Sequence, residues 1–164
     1  MRRVSAQTQT YHHCLLSPLH LATIPSCHIS TAEMTVTVFM FVPRKPGTTL
    51  EAFKDSYEKH VLLVAKALRS EQPTRHTRYY LQRNPAAPGD TQVHPPLLFL
   101  GDAAAIDYDC ITTVEFDDDA HFMRFNEALQ NSPMKQEIED DQNAFSDFSR
   151  FKIVAVEKPE VTAR

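Results

Sequence analysis

Between Thr48 and Ser70, apolar residues recur at helical spacing: Leu50, Phe53, Val61, Val64 and Leu68 fall on one face. The pattern predicts one amphipathic helix. Thr48 followed by Glu51 predicts a capping box at its start, with Thr49 as the other candidate cap, and Gln72-Pro73 ends it. Tyr57 and His60 lie on the same face as the anchors. A core-facing stripe is normally apolar, so a tyrosine and a histidine there predict a cavity under the helix.

Around this helix the pattern changes period. Thr35 to Val42, TVTVFMFV, is dense in β-branched and aromatic residues and reads as a buried strand. Arg75 to Gln82 reads as a second strand, with His76, Arg78 and Tyr80 on one face and Thr77, Tyr79 and Leu81 on the other. Tyr108 to Phe116 reads as a third. Asp117 to Asp119 opens a second helix, with acidic residues where the helix dipole favours them, carrying Phe122, Phe125 and Leu129. A shorter helix with an acidic outer surface follows between Pro133 and Phe148, and Phe151 to Val156 is the last strand. The resulting order, β-α-β-β-α-β, predicts an α+β ferredoxin-like fold, with an antiparallel sheet and helices on one face. Phe39 to Val42 are apolar without a break. Both sheet faces are therefore expected to be covered, the second by another copy of the chain in a homodimer.

Residues 1–34 follow a different grammar. They hold four histidines, many Ser and Thr, and no acid before Glu33. Targeting readings are weak: only Arg2 and Arg3 are basic, and Pro18 and His20 break the apolar stretch. The expectation is an extension that is disordered or that precedes a true start at Met34. The domain is expected over residues 35–158, with a tail at 159–164. In 164 residues this is one core. A net charge of −4 recommends neither nucleic acid nor an anionic membrane as a partner, and no apolar run approaches a membrane span. With three glycines and no phosphate-loop pattern, no nucleotide cofactor is expected; no metal-ligand spacing appears either. Cys14, Cys27 and Cys110 form no framework, which favours a reducing, cytoplasmic location, with Cys110 an inert buried thiol.

Several local motifs resemble the EthD-like family of dimeric α+β barrel proteins. They are TVTVFMFV, the loop PRKPG, LEAFKDSYEKHVLLV with Phe53, Tyr57 and His60, YDCITTVEFDDDAHFMRF, and the closing DQNAFSDFSRFKIVAVEK. The resemblance covers Thr35 to Lys158. It departs after His60, where Val61 and Leu62 stand in place of the family's usual proline. It implies a small cofactor-free enzyme that tailors aromatic polyketides by decarboxylation, by dehydration or cyclisation, or by anthrone-type oxidation. A non-catalytic small-ligand-binding barrel is the alternative.

Such an enzyme works through proton transfer and electrostatics. Decarboxylation beside a carbonyl passes through an enol, which a hydrogen-bond donor stabilises and an acid then protonates at carbon. His60 suits either task, since imidazole titrates near neutral pH. Tyr57 and His76 complete the expected catalytic set. Phe53, Arg78, Tyr80 and His121 are the expected substrate contacts, with Arg78 as the fork for a carboxylate.

Overall fold

The computed structural model describes residues 35–84 and 94–163. The expectations for residues 1–34, Cys14 and Cys27 among them, lie outside the described residues. Strand β1 (Val36–Val42) leads into helix α1 (Leu50–Leu68), then β2 (Arg75–Tyr80), β3 (Cys110–Phe116), α2 (Asp119–Gln130), α3 (Lys135–Phe145) and β4 (Lys152–Val156). The sheet order is β2-β3-β1-β4 with every neighbouring pair antiparallel, the ferredoxin-like arrangement.

Alternation along the strands decides which side the helices take. In β3, Cys110, Thr112, Val114 and Phe116 are buried, while Ile111, Thr113 and Glu115 between them are only half-buried. Register places Cys110 opposite Val42 and Val114 opposite Val38, so the buried positions of both central strands share one face. Two clusters form there. Val42, Phe53, Tyr57, Cys110 and Phe145 pack where α1 and α3 meet the sheet. Val38, Val114 and Phe116 pack with Phe122 and Phe125 of α2. Cys110 is the buried thiol expected, and burial pushes it up to about 11.

The other sheet face presents Phe39 and Phe41 of β1, Ile111 of β3, Tyr79 of β2 and Val154 of β4 in register. Tyr108 lies against Phe41, with ring centres 5.0 Å apart.

Some boundaries differ from the expectation. Thr49, not Thr48, caps α1: its side chain accepts from the Ala52 N–H at 3.1 Å. The Thr48 carbonyl instead accepts from Arg44 Nη1. α1 gives way to a single tight turn at Arg69–Glu71, and Gln72 Nε2 donates to the Ala65 and Arg69 carbonyls at its end. No bend follows His60, since α1 runs unbroken to Leu68. β2 stops at Tyr80 and β3 begins at Cys110; Asp109 directly precedes β3. Its buried carboxylate takes the Arg44 N–H and forms ion pairs with the Arg44 and Arg83 side chains. Asp107, by contrast, is a surface partner of Lys152.

Candidate active site

Helical spacing turns Phe53, Tyr57 and His60 of α1 toward the sheet, and all three are buried. Strand alternation brings His76, Arg78 and Tyr80 of β2 to the same side. The rings of His60 and His76 each lie 6.5 Å from the Tyr57 ring, centre to centre. Five of the expected residues thus surround Tyr57. Phe53 is 6.0 Å from it and Tyr80 6.4 Å, and Arg78 lies close enough to act on its ionisation.

Helix α3 supplies a residue the sequence reading did not single out. Ile138 and Phe145 are its buried anchors. Asp141 stands three residues after one and four before the other, so the helix carries it onto the same face. Its Oδ2 lies 2.8 Å from His60 Nδ1. The helix is acidic, and its carboxylates read as solvated; position relative to Ile138 and Phe145 was the signal that marks this one as different. An ionised carboxylate can only accept, so Nδ1 carries the proton and Nε2 presents its lone pair. The Phe145 ring stands across the imidazole at 5.3 Å.

Burial holds His60 below the ordinary imidazole value, and Asp141 pulls the other way without reversing it. His76 is pushed down to about 4, first by burial and then by the Arg78 charge. Its Nε2 is buried with no hydrogen-bond partner. Both histidines are therefore neutral at pH 7. Burial also raises the Tyr57 phenol, whose hydroxyl is engaged with Thr112 Oγ1 at 2.9 Å. Tyr57 is neutral and packs in the core with Phe53 and Phe145, where a cavity under the helix was expected.

The shift at His76 has a consequence for stability. Below pH 6.5 the unfolded chain binds a proton at His76 that the folded chain refuses until about pH 4. Stability is therefore expected to fall as pH drops through this window, by at most ~3 kcal/mol, less the screening of a partly accessible ring. Urea unfolding at about pH 4.5 against about pH 7, with His76→Gln as the comparison, checks it. The variant is expected to lose that part of the slope.

Arg78 is present but occupied. Its Nε and Nη2 donate to the two carboxylate oxygens of Glu58 at 2.9 and 2.8 Å, and the Tyr80 hydroxyl donates to Glu58 Oε1 at 2.7 Å. Arg78 holds the Glu58 carboxyl below its usual range. Glu58 was not anticipated, because its position on α1 reads as solvent-facing. His121 is not brought to this group. It is buried against Phe116, with ring centres 5.4 Å apart; Nε2 donates to the Gln72 carbonyl at 2.9 Å, and Nδ1 lies 3.2 Å from Asp117 Oδ2. This engagement of both nitrogens leaves the expected substrate contact at His121 without a free donor or acceptor.

Among the described residues, no group of three or more His, Cys, Asp or Glu side chains converges as a metal site would. No helix among them is long and apolar enough to cross a membrane.

Known proteins add the following. No curated protein sequence matches the chain. Among solved structures it is similar to SnoaB, a cofactor-independent oxygenase from Streptomyces nogalater, at 11% identity over 80% of this chain and 99% of that one, with a TM-score of 0.46. It is similar to a dimeric ferredoxin-like protein from an uncultured marine organism, at 15% identity over 79% and 100% of the two chains, TM-score 0.49. An EthD-like protein from Ralstonia eutropha shares 16% identity over 80% and 96%, TM-score 0.45. None of these likenesses carries an activity or an assembly to this chain. The EthD domain profile matches residues 45–149, a span that holds all of α1, β2, β3, α2 and α3 and with them every residue of the site described above. The chain belongs to the EthD domain family.

Proposed function

We propose that the chain is a cofactor-free enzyme that tailors an aromatic polyketide, by decarboxylation of a polyketide carboxylic acid. The observation that carries this reading is the His60–Asp141 pair beside an unpartnered His76 nitrogen. A neutral His60, its tautomer fixed by Asp141, takes the proton of the carboxylic acid at Nε2. Carbon dioxide leaves with the bond electrons passing into the neighbouring carbonyl. His60 then returns the proton to carbon, so atoms and charge balance without another reactant. The His76 ring supplies a neutral polar contact for the carbonyl oxygen, and Tyr57, itself packed against the buried Phe53 and Phe145 rings, backs it.

A base held neutral also suits proton removal next to a carbonyl, so dehydration or cyclisation on a similar substrate is the second reading. Product mass separates them. The purified protein is incubated with an aromatic polyketide synthase and its released acid, with His60→Ala in parallel. Loss of carbon dioxide that depends on His60 is the expected result. Loss of water moves the assignment to the second reading. Tight binding with no turnover by either protein makes the chain a small-ligand-binding barrel.

The proposal includes a homodimer formed by the open sheet faces. Phe39, Phe41 and Ile111 form an apolar band there, a surface that monomers seldom leave bare. Sedimentation equilibrium is expected to give twice the chain mass, and Phe39→Asp to give monomer. A wild-type monomer at micromolar concentration would rule the dimer out.

A further inference from the structure

Arg78 is the residue of the site placed to grip a carboxylate, yet a carboxylate already holds it. The Glu58 contact is side-on and two-pronged, at 2.9 and 2.8 Å, the geometry in which a guanidinium binds an acid most firmly. Nη1 is turned to the His76 carbonyl at 3.2 Å. Tyr80 fixes Glu58 from a third direction at 2.7 Å. The Arg78 side chain is largely buried while Glu58 is nearly half-exposed, so Glu58 has solvent to turn into and Arg78 does not. We infer that Glu58 sets the ligand selectivity of this site. A ligand's free carboxylate must compete for the Arg78 fork with a resident one. The site therefore takes an aromatic ligand whose group beside Arg78 is uncharged (a phenol, ketone or ester) ahead of the corresponding free acid anion.

The ligand class rests on the reading under Proposed function. Within that reading the arrangement has a kinetic sense. Charge leaves the carboxylate as carbon dioxide departs. A vacant arginine fork would stabilise the ground state more than the transition state and raise the barrier. Glu58 removes that stabilisation while leaving Arg78 in place to orient the ring. It acts through Arg78 and is a selectivity residue, not a catalytic one.

The test is binding, not turnover. Dissociation constants for orsellinic acid (a dihydroxy-methylbenzoic acid) and its methyl ester are measured by calorimetry at neutral pH. The proteins are wild type, Glu58→Gln, and Glu58→Gln with Arg78→Gln. Glutamine keeps an acceptor for Tyr80 and loses the charge. Wild type is expected to bind the ester at least as tightly as the acid. Glu58→Gln is expected to gain roughly three- to tenfold for the acid and nothing for the ester. The double variant is expected to lose that gain. A wild-type preference for the acid of about tenfold or more overturns the inference even if the variant does not fold. So does an unchanged acid-to-ester ratio in Glu58→Gln, or a gain that survives Arg78→Gln. Failure of both ligands to bind any of the proteins removes the aromatic-acid reading and the inference with it. Binding of both with an unchanged ratio removes the inference alone.

Discussion

His60→Ala is expected to lower turnover by roughly 10²–10⁴-fold, the range that a positioned general base contributes. The loss belongs to the proton-transfer step, so substrate binding is expected to change far less than turnover. Asp141→Asn is the sharper companion. An asparagine amide can rotate its NH₂ toward Nδ1, which then accepts and leaves Nε2 protonated, the wrong tautomer for a base. Its loss is expected to fall between wild type and His60→Ala. The pH profile distinguishes the two roles. In wild type the activity is expected to fall on the acid side as His60 gains a proton, at a pH below the ordinary imidazole value. Asp141 raises the His60 value, so in Asp141→Asn the remaining activity should persist to still lower pH. An acid limb that stays in place, or moves up, would break the assigned coupling.

Phe53→Ala is expected to cost about 3–5 kcal/mol of folding stability. Phe53 is fully buried at 0% exposure. Tyr57, Phe145 and Tyr80 stand around it with ring centres 6.0, 5.9 and 6.2 Å away. Its truncation opens a cavity between α1, α3 and the sheet, and the surrounding rings are held by their own helices and strands, so collapse is limited. Against a usual domain stability of about 5–15 kcal/mol this is a large share. Denaturant unfolding measures it: the midpoint should drop with the slope unchanged. A loss below about 1 kcal/mol would mean that the aromatic cluster repacks and does not fix the spacing of Tyr57 and His60.

The two effects meet at α1, and that helix shows how far the chain's own pattern reaches. Leu50, Phe53, Tyr57, His60 and Leu68 were legible as one face because 3.6-residue periodicity is a property of a single segment. The alternation of His76, Arg78 and Tyr80 was legible for the same reason with period two. So was the element order that yields the ferredoxin-like sheet. Caps were less secure. Two adjacent threonines offer the same hydroxyl; Thr49 caps the helix, and the Thr48 carbonyl accepts from Arg44.

Partners across elements were not legible. Asp141 is 81 residues from His60, and Glu58 is 20 residues from Arg78. Asp109 is 65 residues from Arg44, and folding buries it between Arg44 and Arg83. His121 read as a substrate contact until Gln72 and Asp117 met both its nitrogens. For His60, His76 and Arg78 the sequence by itself determined the face on which the polar side chain stands. Only the tertiary structure decided what stands opposite. Periodicity is set by local backbone geometry, whereas the pairing of a buried charge or imidazole depends on which other helix or strand arrives within about 3 Å of it.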